Sequence, residues 1–187
     1  MVFYISGPHG SGKAEVAKVL TGRRFHNFEL GGMALELHRK SGDKMEFEKW
    51  IRDIGKKHGN TYLVPRLLDM INEKIGSIEK KGRFGISITG SRTYEVIDAF
   101  RRELKDEWPD IIIFVDAPFE LRMDRFMKRE GLSSLSAEKF EKMCEFERFM
   151  GLEDIRIKAD FVIMNDSGLD NLVSKTNKIL KSIESRS

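Results

Sequence analysis

Gly7, Gly10 and Gly12 precede Lys13 in the run Gly7-Pro8-His9-Gly10-Ser11-Gly12-Lys13, a spacing suited to phosphate chemistry. Glycines let backbone N–H groups crowd around phosphate oxygens, a following helix N-terminus adds partial positive charge, and the lysine reaches the outer phosphates. The run from Gly7 to Ala14 is therefore the expected nucleotide site. Ala14 stands where such a loop normally offers a Ser or Thr hydroxyl to Mg²⁺, so the metal side is weakened from the start. His9 lies inside the loop and is the histidine placed to touch a nucleotide. His26, His38 and His58 lack metal-ligand spacing, and the single Cys144 completes no zinc set.

Such a loop needs a strand before it and a helix after it. Val2 to Ser6 is a short apolar strand, and Val16, Ala17 and Leu20 fall on one face of the helix that follows. Further strands are expected at Phe25 to Leu30, Phe84 to Thr89, Ile111 to Asp116 and Phe161 to Met164. Several are nearly continuous apolar runs, as in parallel strands buried on both faces. Helices follow at Thr93 to Leu104 and Leu169 to Ile183. A long insert, Gly31 to Arg83, reads as three helices, with the middle one at Met45 to Ile54 and the last from about Thr61 to Ile78, Pro65 lying near its first turn. The fold class expected is α/β, a three-layer P-loop NTPase fold with a five-stranded parallel sheet, a helical insert and a short lid. Ligands in such folds lie at the carboxyl ends of the strands.

The 187 residues suit a single domain over 1–187, with the insert at 31–83 and a lid region at 131–149. The 33 basic and 30 acidic side chains leave a net charge of +3, and the basic doublets are spread along the chain, so no nucleic-acid partner is inferred. One cysteine excludes an intramolecular disulfide framework. No run resembles a signal peptide or an apolar span of about 20 residues, so a cytosolic protein without a membrane partner is expected.

Three further segments carry a family likeness. They are Gly85-Ile86-Ser87-Ile88-Thr89-Gly90-Ser91-Arg92, then Phe114-Val115-Asp116-Ala117-Pro118 running on to Arg122, Arg125 and Arg129, and Ala159-Asp160-Phe161-Val162-Ile163-Met164-Asn165-Asp166. With the loop, and in this order, they resemble the P-loop small-molecule kinases related to adenylate kinase and dephospho-CoA kinase, and within them an archaeal adenylate-kinase-related subgroup. The likeness implies ATP and Mg²⁺ as cofactors and a small-molecule acceptor held by the insert. It makes Lys13, Arg92, Arg125 and Arg129 the catalytic cations, sets Arg66 and Arg92 on the acceptor side, and adds Asn165 to the nucleotide site. The segment Gly131 to Ser136 would be the lid, ending at a helix cap, Ser136.

The departures from that pattern matter as much as the matches. Phosphoryl transfer is mainly positioning and charge neutralisation, and Arg125 and Arg129, four apart, share a helix face from which to clamp phosphates. A solvent-facing salt bridge is the alternative for Arg66 and Arg122. Thr89 stands where the family carries an aspartate, and Leu30 to Leu35 replaces the subgroup's acceptor-side Asp and Arg. Asp116 is the best surviving carboxylate for a contact to Mg²⁺ through water, or else a cap for the turn before Pro118. Two functions therefore stay open: a kinase moving the ATP γ-phosphate to a nucleoside monophosphate or related metabolite, and a nucleotide-binding protein with little transfer activity. The Met and Phe residues from Met123 to Phe149, Cys144 among them, read as packing beneath the lid.

Overall fold

The computed structural model describes residues 1–80, 85–104, 109–130 and 134–185. Along the chain these form β1 (Val2–Ser6), α1 (Lys13–Gly22), β2 (Phe25–Glu29), α2 (Leu30–Ser41), α3 (Phe47–His58), α4 (Val64–Lys80) and β3 (Gly85–Thr89). After them come α5 (Tyr94–Leu104), β4 (Asp110–Asp116), α6 (Phe119–Glu130), α7 (Ser134–Phe149), α8 (Leu152–Ile157), β5 (Phe161–Met164) and α9 (Leu169–Glu184). The five strands are all parallel, in the order β2-β3-β1-β4-β5.

Strand β1 shows why the sheet is buried on both faces. Successive side chains of a strand point to opposite sides. Val2 and Tyr4 enter one core with Ile86, Ile88, Ile112 and Phe114, covered by helices that include α3, α4, α5 and α8 through Trp50, Ile71, Phe100 and Ile155. Phe3 and Ile5 enter the other core with Ile113, Val115 and Ile163, covered by α1 and α9 through Leu20, Leu172 and Leu180. This is the three-layer α/β architecture that the sequence pattern leads one to expect, with the loop after β1 at the carboxyl end of a central strand.

Boundaries shift for identifiable reasons. Strand β2 ends at Glu29 rather than Leu30, because the Glu29 carboxylate accepts from the backbone N–H of Gly31 and Gly32 and caps α2. The insert forms three helices as expected. Helix α3 runs later than Met45 to Ile54, and α4 begins at Val64, so that Pro65 falls in a first turn where its missing N–H is no loss. Helix α7 starts at Ser134, ahead of the expected cap at Ser136. Phe84 and Arg83, and positions 131–133 of the expected lid, lie outside the described residues. Phe126, Phe140 and Cys144 form a small third core between α6 and α7, with Met123 and Met143 against it, the packing role expected of them, whereas Phe149 is exposed and takes no part. Among the described residues no helix is long and apolar enough to cross a membrane.

Candidate phosphate-binding site

The loop between β1 and α1 turns on three glycines with positive φ: Gly7 at 142°, Gly10 at 76° and Gly12 at 105°. A Cβ on Gly7 would stand 2.0 Å from the Val115 carbonyl oxygen, so at this position both the conformation and the close approach of β4 require glycine. Gly12 caps α1 in the left-handed region without a side-chain bond. Among the described residues, no hydrogen-bond acceptor is paired with the backbone N–H groups of Gly10, Gly12, Lys13 and Ala14. They form a cluster of free donors at a helix N-terminus, the arrangement that receives phosphate oxygens.

Lys13 folds back over the loop, its Nζ donating to the carbonyls of Gly7 at 2.7 Å and Pro8 at 2.8 Å. Burial, with the nearby Arg92 charge adding to it, pulls its ammonium down to about 7. Arg92, placed just past the end of β3, reaches the loop, where it forms an ion pair with Glu147 and brings Nη2 to 3.0 Å from His9 Nδ1. Glu147, on α7, also accepts from the His9 backbone N–H at 2.9 Å and lies 2.8 Å from His9 Nδ1. Its side chain is only 4% exposed. Burial would raise this carboxyl, but the His9 bond and the charges of Arg92, His9 and Lys13 outweigh it and hold the group below the ordinary range. Burial lowers the His9 imidazole, against the pull of Glu147.

Helix α6 approaches the loop from the other side. Arg122 donates to the carbonyls of Ala117 at 3.1 Å and His9 at 3.3 Å, while its guanidinium lies over Phe119 and Phe140. The surface salt bridge that was its alternative is thus not where it sits. Arg125 donates to the Gly10 carbonyl at 3.0 Å and to the backbone and side-chain oxygens of Asn165 at 3.4 Å. Asn165 in turn donates to the Ser11 carbonyl at 2.7 Å, and a Cβ on Gly12 would meet its amide at 2.5 Å. Lys13, Arg92, Arg125 and Asn165 are therefore gathered on one loop. Arg129 and Arg66 are not. Arg129 pairs with Glu130 and lies over Phe126, and Arg66 stays exposed on α4 with its guanidinium 5.8 Å from the centre of the Tyr62 ring.

The carboxylates do not fit a protein-held Mg²⁺. Ala14 has no hydroxyl, and the Thr89 hydroxyl is engaged by the Phe28 carbonyl at 3.3 Å and by the Asn27 amide at 3.4 Å. Asp116 accepts from the Ala117 N–H at 2.8 Å and faces Arg156 at 3.6 Å, so its carboxylate is engaged at the turn before Pro118. Among the described residues no three Asp, Glu, His or Cys side chains are grouped to hold a metal ion.

Sequence reasoning missed two carboxylates. Glu29, at the end of β2, spends its oxygens on the α2 cap yet lies near enough to favour the charged form of Lys13. Glu147 had a legible signal: it falls four residues after Met143 and seven after Phe140, so the apolar stripe of α7 carries a charge on its buried side. A buried carboxylate implies cationic partners, but which ones only the fold decides.

No family model matches the chain. A UPF0200 protein of Sulfurisphaera tokodaii is 29% identical over 187 residues, covering 97% of either chain. A dephospho-CoA kinase of Fusobacterium nucleatum is 25% identical, covering 98% of either. Among solved structures, TT1252 from Thermus thermophilus superposes with a TM-score of 0.63 at 20% identity, over 100% of this chain and 97% of that one. Shikimate kinase from Acinetobacter baumannii gives 0.53 at 19%, over 100% and 94%. At these identities the structural likenesses show the fold. The chain is thus similar along nearly its whole length to archaeal UPF0200 proteins and to dephospho-CoA kinase, and its fold is that of the P-loop kinases.

Proposed function

We propose that the protein binds ATP on the loop from Gly7 to Ala14 and transfers its γ-phosphate to a small acceptor, a nucleoside monophosphate or a related metabolite such as dephospho-CoA. The observation that carries this reading is the convergence of Lys13 and Arg92 on one loop, near enough for their charges to interact. A binding module needs a phosphate grip, whereas a second fixed cation beside the lysine suits charge that spreads over a transferring phosphoryl group. The likeness to dephospho-CoA kinase over the whole chain supports the reaction class. Arg125 and Asn165 hold the loop in shape from the α6 side, and the insert from α2 to α4 is the natural acceptor wall.

A second reading, nucleotide binding with little or no transfer, is favoured by Ala14, the engaged Thr89 hydroxyl and the Asp116–Arg156 pair. An ADP-release assay across nucleoside monophosphates, dephospho-CoA and water separates the two. The kinase reading expects acceptor-dependent ADP release by the wild type and about tenfold more after Ala14→Ser, which returns the hydroxyl; tenfold is about 1.4 kcal/mol of barrier. ATP binding with release at background for every acceptor and both proteins would leave the binding reading standing.

A further inference from the structure

We propose that Glu147 of α7 occupies a phosphate position at the mouth of the loop and that ATP must displace it, so that α7 is a built-in competitor for the nucleotide. This rests on the phosphate-binding reading of the loop. Glu147 has taken two donors at the loop. They are the backbone N–H of His9, at 2.9 Å from Oε1 and 3.2 Å from Oε2, and the guanidinium of Arg92. A loop amide and an arginine are the donors that recognise phosphate oxygens, and a carboxylate satisfies them with the same charge sign and similar geometry. His9 has one backbone N–H, and a carboxylate and a phosphate oxygen compete for it.

Burial makes the exchange close to all-or-none. A carboxylate 4% exposed is held charged by its partners, and if Glu147 withdrew alone the Arg92 guanidinium, which is always charged, would be left without a counter-anion. Withdrawal of Glu147 is therefore compensated when another anion takes over His9 and Arg92. The neighbouring residue ties the same helix to the insert: the Arg52 guanidinium of α3 lies 5.3 Å from the centre of the Phe146 ring. One turn of α7 thus bridges the loop and the acceptor-side wall, and its release would free both at once.

Calorimetric titration of the wild type, Glu147→Gln and the exposed control Glu145→Gln with ATP and with inorganic pyrophosphate tests the proposal. Glu147→Gln keeps the shape and removes the charge, and should bind both ligands about tenfold tighter, within the range expected for one charged hydrogen-bond set. The control should match the wild type. Unchanged or weaker binding by Glu147→Gln, with the wild type binding normally, would overturn the proposal and leave Glu147 as a residue that positions Arg92. Absence of binding by every protein would overturn the loop assignment as well. Hydrogen exchange on the wild type needs no variant: ATP should speed exchange across residues 140–149, and slower or unchanged exchange there would count against displacement.

Discussion

On the proposed reading, Lys13 is the side chain on which most of the nucleotide grip depends. Lys13→Ala removes a charge-assisted contact to the phosphates and should weaken ATP binding by roughly 1.5 to 3 kcal/mol; equal affinity by calorimetry would contradict the assignment. Its depressed titration adds a pH dependence. Below about pH 7 the ammonium is charged in both folded and unfolded chains. Between about 7 and the ordinary 10.5 the unfolded chain holds a proton that the folded chain lacks, so this group makes stability rise with pH across that window. Bound phosphates favour the charged form, so above about pH 7 ATP binding takes up a proton and ATP affinity falls as pH rises. Titrations at pH 8 in two buffers of different ionisation enthalpy measure that uptake directly, and identical heats would refute it.

At the scale of elements, α6 and the first turn of α1 decide whether the loop keeps its shape. Arg125 grips the Gly10 carbonyl and Asn165 rather than standing free beside the loop. Arg125→Ala should therefore raise the ATP dissociation constant about three- to tenfold, the loss of one or two hydrogen bonds from a charged group. Arg129→Ala, which removes an exposed pair with Glu130, should change it less than about twofold. The reverse order of effects would show that α6 turns on binding ATP. Gly12→Ala adds a Cβ 2.5 Å from the Asn165 amide and 2.9 Å from the Leu172 side chain, at a φ of 105°. It should cost about 1 to 3 kcal/mol of stability and lose ATP binding, read by thermal unfolding and titration together.

For the molecule as a whole, the central strands join two cores that would otherwise be separate. Phe100, fully buried, packs α5 into the core that also holds the inward residues of β1, β3 and β4. Phe100→Ala should cost about 3 to 5 kcal/mol, and at roughly 2 to 4 °C per kcal/mol for a chain of this size the melting temperature should fall by about 6 to 20 °C. A fall of less than about 3 °C would mean that this core is far more plastic than its packing implies.

The alternation of Val2, Phe3, Tyr4 and Ile5, the glycines at 7, 10 and 12 and the one-sided apolar stripes of the helices are local features. They determined the parallel sheet, the loop, its lysine and the presence of a helical insert without help from the rest of the chain. Arg92, Arg125 and Asn165 were legible through the family resemblance of the segments that carry them, in order along the chain. Side-chain direction was not legible. Arg125 and Arg129 share a helix face in sequence, yet one turn of α6 is enough to put the first on the loop and the second beside Glu130. Nothing near Asp116 in the sequence names Arg156, which reaches it from α8, forty residues later. Glu147 lies 138 residues from His9, and no local rule pairs them. Local pattern sets what each segment forms, because hydrogen-bond geometry and hydrophobic period act over a few residues. Which charges meet is decided by packing between distant segments, and only the tertiary structure contains that.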